Sequence, residues 1–288
     1  MPEWNPATLL QSVLFAPLHP LLAHFKTNDF PHRDDLNALL AARQSRITVQ
    51  SGLPLRFVAH QSGKLPLEMQ YEPRCYLHGE VQMRSGEWHD LLNALVWMTF
   101  PKAKAAINAR HYHDLISTNG NPTQRSALRD MVTLFDESGT IVVCADAELG
   151  HLLHNFKWKE LFWQRRQQVK ASMGFYLFGH GLYQKALQPY VGMTGQGLRV
   201  AVEQEFFSWP LARRLGYLDE RMAAYLNAPQ HCHSTRELAP VPLLGVPGWA
   251  AGNAEENYYD NTTYFRSRRQ ERGSAQNEFE VMGKNSVK

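Results

Sequence analysis

Three cysteines in 288 residues, Cys75, Cys144 and Cys232, are too few and too scattered for a disulfide framework or a cysteine-rich zinc site. The odd count, with no Cys-x-x-Cys pair, suits a reducing cytoplasm. No apolar run approaches the roughly 20 residues that a membrane helix needs. The opening MPEWNPATLLQSVLFAPLHPLLAHF lacks a basic leading region, and Pro17, His19 and Pro20 break its apolar runs, so it reads as neither signal peptide nor anchor. The glycine-rich patterns of dinucleotide-binding folds, P-loops and α/β-hydrolases are absent, as is HExxH. Excess charge is also missing from the body. The formal charge of +3 comes from residues 266–288, where six basic residues face three acidic ones; residues 1–265 hold 24 of each sign. Such a body offers no broad footprint for duplex nucleic acid.

What is present is an ample core. Hydrophobic residues make up 44% of the chain, with 7 Trp among them. Residues 6–45 have helical periodicity, as in DDLNALLAARQ. The segments ITVQSGLPLRFVAH and EMQYEPRCYLHGEVQM, rich in β-branched and aromatic residues and punctuated by Gly and Pro, read as strands. GEWHDLLNALVWMTFPKAKAAINARHYHDL predicts two helices hinged at Pro101, the first with Ser85 as N-cap and Glu87 in its opening turn. A helix opened by Asn-Pro follows over 122–134. TIVVCA, FYLF and LRVAV read as strands, alternating with the helices AELGHLLHNF, KWKELFWQRRQQV and GHGLYQKAL. The expectation is a helix-rich mixed α/β fold, leaning to α+β, with one main core and a small mixed sheet. Residues 1–265 form one domain, a helical part over 1–45 and a core over 46–265, and 266–288 form a disordered basic tail.

Within this apolar setting, polar residues collect in patches. His89, Asn93 and Trp97 fall at i, i+4 and i+8 with Asp90 alongside, on a helix otherwise apolar nearly all round. Burying such groups unpaired costs several kcal/mol, so they face partners, water or a ligand. Lys104, Asn108 and His111 share a stripe on the next helix, with Arg110 beside it. Asp136 and Glu137 lie at a helix exit in FDESG, and His180 sits between two glycines at a strand-to-helix turn. His89, Asp90, Asp136, Glu137 and His180 together supply the N and O ligands used for a divalent metal ion. His89, His180 and Asp90 are equally candidates for acid–base work. Lys104, Arg110, Arg125 and Arg129 read as an anion-binding cluster, and Asn93, Trp97, Asn108 and His111 as pocket residues.

The order WHDLLNALVWMTFPKAKAAINARHYHDL, LRDMVTLFDESG, FGHGLYQKALQPY resembles a bacterial family known as domain-of-unknown-function family 3025, over roughly residues 70 to 250. The matching positions are Trp88, His89, Asp90, Asn93, Pro101, Lys104, Asn108, His111, Asp136, Glu137, Gly179 and His180. At Gln184 the family pattern often has an acid. The resemblance implies a grouping and no reaction, so the residues themselves carry the functional reading. Three readings stay open. One is a metal-assisted hydrolase or phosphoryl-type enzyme acting on an anionic small molecule or nucleotide-like group. The second is a non-enzymatic binding module for an anionic ligand, or for RNA or a protein through the basic tail. The third is a satisfied structural network.

Overall fold

A computed structural model describes residues 1–118 and 126–268 of the chain. The N-terminal helices are α1 (Pro6–Gln11), α2 (His19–Leu22) and α3 (Arg33–Ala41). Strand β1 (Arg56–Ala59), helix α4 (Tyr71–His78) and strand β2 (Glu80–Met83) follow, β1 and β2 forming a two-stranded parallel sheet. Then come α5 (Trp88–Thr99), α6 (Pro101–Ser117), α7 (Ala127–Ser138), β3 (Gly139–Cys144), α8 (Ala147–His154), α9 (Arg166–Ser172), β4 (Met173–Leu177), α10 (His180–Ala186), β5 (Thr194–Ala201), α11 (Leu211–Asn227) and β6 (Ala239–Pro242). The four later strands form a mixed sheet in the order β4-β3-β5-β6, with β3 parallel to β5 and antiparallel to β4. This is a helix-rich mixed α/β fold with small mixed sheets. Its buried apolar residues form one cluster running from Trp4 to Phe265.

Several elements differ from expectation for local reasons. The span 68–83 is not one strand. Glu72 and Pro73 occupy the first turn of α4, where proline's missing N–H costs nothing. Gly79 then ends the helix in the left-handed region at φ 68°, and only 80–83 pair as strand. The N-cap of α5 is Glu87 rather than Ser85, because Gly86 turns the chain at φ 76° immediately before it. KWKELFWQRRQQV is interrupted: Glu160–Gln164 form a π-helical turn ahead of α9. The Asn-Pro start at 121–122 and Arg125 lie outside the described residues, as does the expected tail beyond 268. The chain is tethered further than the sequence suggests. Trp158 Nε1 donates to Arg266 O at 2.8 Å, and Arg268 reaches His154.

Three helices position the site. α10 packs on both α5 and α7, and α7 runs directly into the fully buried strand β3. At the hinge between α5 and α6, Pro101 starts α6, whose first amides need an acceptor. Asp219 of α11 supplies it, accepting from Lys102 N at 3.1 Å and Ala103 N at 2.8 Å. The three cysteines are buried and free. No helix of the described residues is long and apolar enough to cross a membrane.

Candidate metal centre

His89 lies in the first turn of α5, Glu137 in the last turn of α7, and His180 opens α10. Trp88, one residue earlier, turns the other way and donates from Nε1 to Pro2 O, packing against Trp4 and Phe30. That anchoring fixes the angle at which His89 leaves the helix. The two glycines around His180 have a steric cause. A Cβ at Gly179 would overlap the backbone of Glu137, Ser138 and Gly139, and one at Gly181 would overlap Glu137 Oε2. Only glycine lets the start of α10 meet the end of α7 so closely.

His180 Nε2 lies 3.1 Å from His89 Nε2 and 3.3 Å from Glu137 Oε1, and His89 Nε2 lies 3.9 Å from the same oxygen. These are the ligand atoms of the three-residue cluster His89, Glu137 and His180. A point equidistant from atoms so spaced is about 2.0 Å from each, the bond length of Zn²⁺ and similar ions to N and O ligands. The far side of the His89 ring has a hydrogen-bond partner that fixes its tautomer. His89 Nδ1 faces Gln184 Oε1 at 3.2 Å, an oxygen that only accepts, so Nδ1 carries the proton and Nε2 a lone pair. His180 Nδ1 faces Asp136 Oδ2 at 3.8 Å, beyond hydrogen-bond distance. His89, Glu137 and His180 could hold a metal ion.

Asp136 is the outer support. Its Oδ1 accepts from Lys104 Nζ at 2.5 Å, and Lys104 is 3% exposed, stacked over the Trp97 ring. Burial pushes the Asp136 carboxyl up, but Lys104 and His180 outweigh it and hold it below its usual range. For Glu137 the hydrogen bond with His180 is the largest influence; it lowers the carboxyl against the opposing effect of burial. With Lys104 neutralising Asp136, Glu137 leaves one negative charge beside the two imidazoles, an N/O set of the type that holds divalent ions.

Not every expected residue joins this centre. Asp90, one position round the helix from His89, points toward Arg84. It accepts from Arg84 N, Nε and Nη2, each at 2.8 Å. Burial raises its carboxyl, and those Arg84 bonds override burial to bring it below the ordinary range. It is thus neither ligand nor base. Lys104 is committed to Asp136 and cannot serve as an anion site. Arg110 donates to Leu226 O and Ala228 O at 2.6 Å each, closing the end of α11 rather than binding anions. Trp97 is core, 1% exposed, and Asn108 ties Glu72 through its carbonyl and carboxylate at 3.0 and 2.6 Å; neither lines the cleft. Arg129, Asn93 and His111 do line it.

That cleft measures about 720 Å³. Besides the metal-type ligands it is walled by Tyr71, Glu72 and the loop 60–65, and its lining sets the cations Lys64, Arg84 and Arg129 among the carboxylates of Glu72, Asp90, Asp136 and Glu137. The loop is held by His60 N to Met83 O at 2.9 Å and by Arg74 to Gln61 Oε1 at 2.9 Å. Sequence reasoning missed Gln184 as a partner of His89, although it sits one helical turn after His180, a spacing that could have found it. It missed Tyr71 because that stretch reads as strand.

The sequence model of the family described as protein of unknown function (DUF3025) matches residues 55–269. The chain belongs to this family. No curated protein and no solved structure matches it.

Proposed function

We propose that the cleft is a metal-dependent hydrolytic site for an anionic small molecule, with His89, Glu137 and His180 as protein ligands to one divalent ion. The observation that carries this reading is the close approach of two imidazole nitrogens and a carboxylate oxygen, 3.1, 3.3 and 3.9 Å apart. Three protein ligands leave coordination positions open to water and substrate, as catalytic rather than structural sites do. An ion held there would polarise a substrate oxygen and make bound water acidic enough to attack near neutral pH. Gln184 orients the His89 imidazole. With both histidines acting as ligands, proton transfer falls to His111 and Glu72 on the cleft wall. Lys64 and Arg129 on the cleft wall favour a substrate bearing phosphate or carboxylate.

A proton shared between the two Nε2 atoms, 3.1 Å apart, would also reconcile them, as part of a buried network. Elemental analysis and a chelator separate the two cases. On the metal reading, purified protein takes up one equivalent of zinc or a similar ion, and a chelator lowers the wild-type melting temperature. His89→Ala, Glu137→Gln and His180→Ala each lose the ion and respond little to the chelator. A wild type that binds no divalent ion, paired with a strongly destabilised His89→Ala, puts the network reading first.

A further inference from the structure

Asn93 follows His89 by one turn of α5, so its side chain projects into the same cleft about 5–6 Å along the helix. It is 7% exposed, yet its Oδ1 has no hydrogen-bond partner among the described residues. Its Nδ2 is occupied, donating to Tyr71 Oη at 2.7 Å. That bond has a directional consequence: with the phenol oxygen accepting from Asn93, the Tyr71 O–H is free to donate elsewhere. Tyr71 lines the cleft too, and burial pushes its phenol well above the ordinary value, so the group remains a donor at neutral pH. Side by side, then, the wall presents one unengaged donor and one buried, unengaged acceptor. A buried acceptor without a partner carries a desolvation cost that a ligand N–H or O–H would remove.

From this juxtaposition we infer that Tyr71 and Asn93 form a second binding subsite, which takes the donor–acceptor edge of an amide next to the metal centre: Tyr71 O–H to the carbonyl oxygen, Asn93 Oδ1 from the N–H. The inference rests on the metal-site reading and deepens it. It narrows the substrate class to a primary or cis amide, in which the carbonyl oxygen and an N–H share one edge. A phosphate ester lacks the N–H that would meet Asn93, and a simple carboxylate lacks the donor as well.

The test uses full-length zinc-loaded protein titrated calorimetrically with two probes. Oxamate offers the ion a carboxylate and presents a primary amide whose carbonyl oxygen and syn N–H lie on one edge, whereas N,N-dimethyloxamate lacks the N–H. Wild type should prefer the first by about tenfold, the worth of one good hydrogen bond. Asn93→Ala should erase that preference. Tyr71→Phe, which keeps the ring and loses only the hydroxyl, should weaken both probes by about tenfold while zinc stoichiometry stays at wild-type level. Should Asn93→Ala fail to hold zinc, the wild-type preference and Tyr71→Phe carry the test. Equal binding of the two probes by wild type, or unchanged affinity in Tyr71→Phe, overturns the subsite and leaves the metal centre standing. Failure of the wild type to take up zinc removes both.

Discussion

A single methyl group added at residue 181 would enter the volume that Glu137 Oε2 occupies. The carboxylate is the mobile partner in that clash, so Gly181→Ala should displace a ligand more than it disturbs the core. The expected outcome is at least a tenfold loss of zinc affinity with a melting temperature within a few degrees of wild type, read by competition with a chelating dye and by calorimetry. Asp90→Asn predicts the reverse pattern. The residue is half-buried and holds Arg84 by three bonds, so neutralising it should cost about 1–2 kcal/mol in urea unfolding and leave zinc affinity unchanged. If Asp90→Asn loses zinc instead, Asp90 belongs to the centre after all. Neighbours in sequence thus serve different ends, since consecutive helical residues point about 100° apart.

Among the elements, the junction of α6 and α11 carries a titrating carboxylate at the start of α6. Burial pushes the Asp219 carboxyl up to about 6, against the pull of the Ala103 and Lys102 amides. A folded-state value above the unfolded one means the native chain binds this proton more tightly. The contribution to stability is therefore fully present below about pH 4 and is lost as pH rises through about 6. Asp219→Asn keeps the shape and removes the titration. The stability difference between wild type and this variant should shift by roughly 2–3 kcal/mol in favour of wild type as pH falls from 7 to 4. Denaturant titrations at several pH values read it, and a pH-independent difference would contradict the assignment. This junction also shows what the sequence made legible. Pro101 and the apolar spacing around it announced two buried helices and a polar patch at His89. Nothing near Pro101 announced that its cap would come from a residue more than a hundred positions away. The same applies to Arg110 and Lys104, whose charges read as an open cluster until tertiary packing supplied carbonyls for one and Asp136 for the other. Local periodicity encodes which face is buried, while the partner on the far side depends on the assembled fold. His180 was legible because its two flanking glycines report a close approach of backbone.

For the molecule as a whole, the family match begins at residue 55, yet the core does not. Trp4, Phe15, Leu18, Leu22 and Leu36 are buried in the same cluster as the later elements, and Phe15 packs on Tyr183 of α10. Trp4 and Phe30 bed Trp88, the residue before His89. A chain beginning at residue 55 should lose cooperative unfolding, because it leaves several large apolar side chains facing water at about 1.5–3 kcal/mol each. Circular dichroism melts check this, and a sharp transition near the wild-type temperature would show the first 54 residues to be dispensable. The spread of the three candidate ligands over α5, α7 and α10 has a further consequence for how the protein is made. On the ribosome, His89 and Glu137 emerge while α10 is still unmade, and the nascent chain then offers an ion only two of its three contacts. On the metal reading, the cleft would be charged with an ion only after most of the polypeptide has left the exit tunnel, so loading would be a late, near-complete-chain event rather than a seed for folding.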